Sequence, residues 1–317
     1  MMTRPYPFTR ILIPYDGSPS AKKALVWAAH LACAGGDEVE QVTLLRVIGG
    51  GYLSRHIQNV DLRVTRMDQA AAWRRIRQHH LDHEDLATPG GRQAILKEKG
   101  GVAPIEIRVA EGKIGAEIIG LAGDEGYNTT EIGRRGLSPV KGLFLGSVTR
   151  QVLSLAQKVT VFVVSQEVAF NPASPIAPLL LPVDGSEPSL AAVRQGATLA
   201  RSFKDSKPRL TLLHVIDLVL LDTAYAEGEA FLIEEGEKIL ATSRRSLEEA
   251  GLQDMIAEKL LAGHPPRVIA EEAEEGHYAL ILMGARGLSP LKQLILGSVS
   301  NDVLYRVSQS IVGIFYP

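Results

Sequence analysis

Short, nearly continuous apolar runs alternate along the chain with longer segments in which apolar residues recur every three or four positions. The first kind reads as buried strands and the second as helices. Ile11-Leu12-Ile13-Pro14-Tyr15 is the first run, punctuated by Asp16-Gly17-Ser18-Pro19. Ser18 caps a helix with Pro19 at its first position, and Ala21, Ala24, Leu25, Ala28, Ala29 and Ala32 then share one helical face. Residues 42–48 form a second, nearly all-apolar strand, as expected where helices cover both faces of a parallel sheet. Residues 52–100 carry the weakest pattern, a charged helix over about 67–86 broken by Thr88-Pro89-Gly90-Gly91. A third strand over 105–109 leads through Glu111-Gly112 to a helix through Ile118 and Leu121. A fourth strand over 128–132, a glycine-rich stretch, a helix over 149–155 and a fifth strand over 159–164 complete the series.

The pattern then restarts. Residues 167–178 contain three prolines and no helical period, and read as a linker. Residues 179–186 echo 11–18 position by position, and 210–215 echo 42–47 with a shared Leu-Leu-x-Val-Ile. A helix over about 227–250, a strand over 255–262, a helix over 267–275 and strands over 278–283 and 311–316 follow. Asp16 and Asp184 are 168 residues apart, whereas Gly133 and Gly284 are 151 apart, so the first repeat carries 17 extra residues, placed around 50–100. The expected fold is α/β: two tandem Rossmann-like domains, each an open, mainly parallel five-stranded sheet flanked by helices, with right-handed crossovers. The expected boundaries are 1–166, the linker 167–178, and 179–317.

The chemistry sits in a motif that occurs twice. Gly133-Arg-Arg-Gly136 is followed by nine residues and then Gly146-Ser147; Gly284-Ala-Arg-Gly287 is followed by nine and then Gly297-Ser298. Leu-Ser-Pro and a lysine recur at equivalent places inside the nine. Each motif leaves a strand, turns through glycines that let backbone approach a ligand closely, and enters a helix whose first amides face an anion. In open parallel sheets ligands bind at strand carboxyl ends where strand order reverses, so Asp16 and Asp184 can share a crevice with the glycines. A pair of tight turns that merely pack helix on strand would not need the distant Gly-Ser.

Composition changes this picture little. Hydrophobic residues are 45% and charged residues 22%, enough apolar material for a core in each half. A net charge of -2 gives no electrostatic reason to expect nucleic acid or an anionic membrane. The single cysteine, Cys33, rules out an intramolecular disulfide and fits a reducing compartment. With no run long enough for a signal peptide or membrane span, a cytoplasmic location is expected. His79, His80, His83 and Glu84 place metal-ligand types on one helix, but nothing matches them in the second repeat and a solvated face is the preferred reading.

Taken together, Asp-Gly-Ser after the first strand, Gly-x2-Gly-x9-Gly-Ser after the fourth, and the order of elements between them resemble the universal stress protein family in its tandem, ATP-binding form. The resemblance covers nearly the whole chain. It implies an adenine nucleotide (ATP, or AMP or ADP) in each crevice, with Mg²⁺ held by the phosphates. In the first repeat Asp16 would take the ribose or adenine side and Pro14 and Val47 the base. Gly133, Gly136, Gly146, Ser147 and Thr149 would surround the phosphates, with Ile132 and Val148 also in the binding site. The matching positions in the second are Pro182, Asp184, Val215 and Met283, then Gly284, Gly287, Gly297, Ser298, Val299 and Ser300. It also implies that the last strands of the two repeats pair within one chain, with a homodimer as a further option and a protein partner reading the bound state.

One feature departs from the family pattern. The fourth strand of the second repeat is aliphatic, whereas the first reads Asn128-Thr129-Thr130-Glu131-Ile132. A buried carboxylate is costly unless paired or protonated. Glu131 is therefore expected to meet Arg134 or Arg135, or to lie in a shorter, partly exposed strand. A negative charge there would oppose phosphate, so the second site is expected to bind ATP at least as tightly as the first. The leading function is a nucleotide sensor or switch in stress response. A slow ATPase or phosphotransferase is the alternative, though no general base stands beside either motif, and an interaction scaffold is the third reading.

Overall fold

The computed structural model describes residues 6–49, 105–136, 145–169, 171, 174–217, 226–287 and 296–316. The helix expected over 67–86, with its histidines, lies outside them. The first half contains β1 (Arg10–Pro14), α1 (Pro19–Gly35), β2 (Gln41–Gly49), β3 (Ile105–Gly112), α2 (Ile114–Asp124), β4 (Thr129–Gly133), α3 (Ser147–Leu155) and β5 (Thr160–Val164). The second contains β6 (Leu179–Pro182), α4 (Glu187–Ser202), β7 (Leu210–Asp217), α5 (Ala226–Glu248), β8 (Ile256–Gly263), α6 (Pro265–Glu275), β9 (Leu280–Gly284), α7 (Ser298–Arg306) and β10 (Ile311–Phe315). Ser18 caps α1 by accepting from the Ala21 amide, and Ser186 caps α4 by accepting from Ser189, each with proline in the first turn.

The strands form one sheet in the order β3-β2-β1-β4-β5-β10-β9-β6-β7-β8. Every pairing is parallel except β5 with β10, which run antiparallel from Thr160 opposite Phe315 to Val163 opposite Val312. Each half is thus a parallel five-stranded α/β unit, and the chain joins the two edge to edge. Strand order reverses beside β1 in the first half and beside β6 in the second. Two apolar layers cover the two faces, and both run through the seam between halves. One contains Trp27, Phe162 and Leu199; the other contains Ile118, Val152 and Val303. Within the segment expected as a linker, Val168 and Ile176 are buried in the first layer.

Size complementarity sets the seam. Phe162 faces Gly313 across the antiparallel pair, and a Cβ on Gly313 would lie 2.7 Å from the Phe162 ring. Phe8 and Trp27 meet Phe162 edge-on at centroid distances of 5.4 and 5.8 Å.

The first half's fourth strand corrects two expectations. β4 keeps five residues, all buried, so it is neither shortened nor exposed. Glu131 is 0% exposed, and neither carboxyl oxygen has a hydrogen-bond partner among the described residues. No pair with Arg134 or Arg135 forms. Burial instead pushes this carboxyl well above its ordinary range, so the group is held protonated. Glu131 is adjacent in register to Phe162 and Ile132 to Val163. Alternation along the strand puts Glu131 on the Trp27 face and Ile132 on the opposite one. The supposed negative charge beside the phosphates is therefore neutral and on the other side of the sheet.

Candidate functional site

The carboxyl ends of β1 and β4 open onto a cleft of about 770 Å³. All ten positions expected in the first half line it: Pro14, Asp16, Val47, Ile132, Gly133, Gly136, Gly146, Ser147, Val148 and Thr149. One side is apolar, where Leu45, Val47, Ile118 and Ile132 converge. The other is formed by backbone at the start of α3.

Asp16 is fixed before any ligand arrives. Its Oδ1 accepts from the Ser18 amide at 3.0 Å, a local turn of the kind aspartate favours. Its Oδ2 faces Gly136, where a Cβ would lie 2.5 Å away. The second glycine of the motif is therefore the seat for the aspartate. The first glycine has a different neighbour: a Cβ on Gly133 would come within 2.9 Å of the Ala21 amide nitrogen in the first turn of α1. Gly146 closes the loop by donating its amide to the Arg134 carbonyl at 2.9 Å. It is also the N-cap of α3, and no side chain caps that helix. The first-turn amides of a helix have no intrahelical partner, and Ser147, Val148 and Thr149 line the cleft.

The second half repeats this geometry. Asp184 Oδ1 accepts from the Ser186 amide at 3.0 Å and from its hydroxyl at 2.6 Å, and Oδ2 faces Gly287. Gly284 is held against the backbone of Pro188 and Ser189. Gly297 donates to the Ala285 carbonyl at 2.7 Å and is the uncapped N-cap of α7, whose first turn holds Ser298, Val299 and Ser300. Pro182 ends β6, while Val215 and Met283 pack with Val299 in the same apolar layer.

Thr149 and Ser300 tie the loop to the helix. Both are buried, and their hydroxyls donate to the carbonyls of Gly133 and Gly284 at 2.9 and 2.8 Å. In this arrangement each hydroxyl proton is directed at a loop carbonyl. Each stitches the helix start to the first glycine and fixes the loop's shape.

The polar residues Tyr15, Arg46, Arg150 and Tyr305 are among the further residues that line the first cleft and that the sequence did not assign to it. Arg46 interrupts an apolar strand, a signal that was available; it donates to the Tyr15 carbonyl at 3.3 Å. Tyr305 comes from α7 of the other half, which no local pattern announces. Arg135 also lines the cleft, whereas Arg134 does not reach it. Arg134 is buried, and its guanidinium donates to the carbonyls of Val307 and, at 3.1 Å, Tyr305. Burial, then the charge of Arg135, brings its pKa down to about 10.

Among relatives, the profile of the universal stress protein family matches residues 7–165 and again 176–312. The chain belongs to the universal stress protein family. Universal stress protein YxiE of Bacillus subtilis is 33% identical over 138 residues, covering 39% of this chain and 89% of that protein. Universal stress protein MJ0531 of Methanocaldococcus jannaschii is 32% identical over 131 residues, 40% of this chain and 74% of that protein. The crystal structure of a universal stress protein from Archaeoglobus fulgidus superposes over 98% of both chains, with a TM-score of 0.64 at 21% identity. That likeness shows the tandem universal stress protein fold. No helix among the described residues is long and apolar enough to cross a membrane, and none of them form a cluster of His, Cys, Asp or Glu able to hold a metal.

Proposed function

We propose that this protein is an adenine-nucleotide sensor with one site per half, the repeats 1–166 and 179–317 each forming a binding unit joined by 167–178. The observation that carries the reading is the juxtaposition in both halves of an aspartate fixed by its own turn, a glycine seated on it, and an uncapped helix start. A carboxylate accepts from ribose hydroxyls, and open amides at a positive helix end donate to phosphate oxygens. The apolar side of the first cleft suits a base, and its volume falls in the range of small-ligand sites. Mg²⁺ would be carried by the phosphates. Binding is favoured over hydrolysis because Asp16 is the one carboxylate lining the cleft among the described residues, and Glu131 faces away from it.

Calorimetric titration of nucleotide-stripped protein with ATP and Mg²⁺ tests this. Wild type should bind two equivalents, and Asp16→Ala and Asp184→Ala one each. Absence of heat together with absence of a thermal shift would overturn the reading and leave the scaffold alternative. Steady turnover with Mg²⁺ or Mn²⁺ would move the assignment to an ATPase.

A further inference from the structure

The two cradles share their backbone but not their charge. Among the described residues, Arg46 on β2, Arg135 in the glycine loop and Arg150 in the first turns of α3 line the first cleft. Chain alignment of the repeats puts His214, Arg286 and Asn301 at those positions in the second half. Gln151, next on α3, corresponds to Asp302 on α7. His214 is turned to the same backbone position as Arg46: its Nδ1 lies 2.7 Å from the Val183 carbonyl, as Arg46 reaches the Tyr15 carbonyl. The replacement is therefore like for like in place and unlike in charge. Glu167, outside the cleft lining, feels the charge of Arg135. Burial raises its pKa, but hydrogen bonds from Ser165, its own amide and Gln166, with the charge of Arg135, hold it below the ordinary value.

We infer that the first cleft is the polyphosphate site and the second a site that discriminates little by phosphate number. This rests on the nucleotide reading above and reverses the ranking expected from sequence. Each phosphate added to a nucleotide brings negative charge toward the mouth of the cradle. Guanidinium groups pair with phosphate oxygens through charge-assisted, often bidentate contacts, which imidazole and amide side chains do not replace. AMP should then be held comparably by both clefts, since the aspartate seat and helix amides are common to them. ATP should gain affinity chiefly at the first.

The test is titration of Asp184→Ala, which keeps the first cleft, and Asp16→Ala, which keeps the second, with AMP, ADP and ATP separately. The ATP-over-AMP affinity ratio at the first cleft should exceed that at the second by about tenfold or more, the scale of one charge-assisted contact. It should also fall more steeply as salt is raised. Arg46→His with Arg150→Asn, introduced into Asp184→Ala, should flatten the first cleft's ratio. Should that protein fold poorly, His214→Arg with Asn301→Arg in Asp16→Ala supplies the converse, a ratio that rises. Equal ratios in the two single-site proteins, or a larger one at the second cleft, overturn the inference while nucleotide binding stands. Failure of both proteins to bind any of the three nucleotides removes the sensor reading itself.

Discussion

The two glycines that open each motif answer to different neighbours, and substitution should separate them. A methyl group on Gly133 meets the backbone of Ser20 and Ala21, which has nowhere to go, whereas one on Gly136 meets the end of the Asp16 side chain. Gly133→Ala should therefore lower stability by about 1–3 kcal/mol, the usual cost of overpacking. Gly136→Ala should leave the unfolding midpoint nearly unchanged and weaken ligand binding by displacing the carboxylate. Urea denaturation and calorimetry on the same two proteins would compare these effects directly. Glu131 is a residue-scale liability of another sort. Its folded pKa is raised above the ordinary 4.5 by burial, so the native state holds a proton that the unfolded chain releases. Stability is thus highest below the unfolded pKa and declines as pH climbs toward the folded one, by about 1.4 kcal/mol per pH unit for one proton. Glu131→Leu, which copies Leu282 of the second half, should remove this slope. Denaturation at pH 5 and pH 8 should show the variant gaining on wild type at the higher pH; parallel losses in both would contradict the assignment.

At the scale of elements, α7 belongs to both sites. It starts at Ser298, in the second cradle, and Tyr305 near its end lines the first cleft. Arg134, inside the first motif, holds the carbonyls of Tyr305 and Val307 at that end. The mirrored contact is built differently. Ala285 stands where Arg134 would, and the Tyr316 hydroxyl, coming from the second half, donates to the Leu153 carbonyl at the end of α3 at 2.7 Å. Truncating Arg134 should strand two carbonyls at the end of α7, where cations are favourable. Arg134→Ala is expected to cost about 1.5–3 kcal/mol and to weaken nucleotide binding at the first cleft through displacement of Tyr305. Thermal unfolding and titration of the Asp184→Ala background would read both. A loss of stability with unaltered affinity would confine Arg134 to a structural role.

For the molecule as a whole, the antiparallel join between β5 and β10 makes one sheet out of two repeats, and both apolar layers cross it. The halves should therefore unfold together. Phe162, packed against Phe8, Trp27 and Gly313, is the side chain on which the join depends most. Phe162→Ala should lower stability by about 3–5 kcal/mol in a single calorimetric transition. Two transitions, with only the first half affected, would show the repeats to be independent.

Local rules acting within each repeat determined much of this protein. Period and punctuation placed the described strands and helices, because burial between helices forces continuous apolar runs and the Ser18 and Ser186 caps start the helix after the first strand of each half. The twice-used glycine spacing located the cradle, because only glycine tolerates the contacts made by Gly133 and Gly136. The first cleft's ten expected positions came together because those contacts are set by short-range backbone geometry. Tertiary structure decided the rest. Whether Glu131 faced the cradle or the core depended on strand register and on Arg134 being occupied elsewhere. Thr149 and Ser300 became stitches because the helix start folds back on the first glycine. Tyr305 entered the first cleft from the far half because β5 and β10 pair, a contact between residues more than a hundred positions apart that no local pattern encodes.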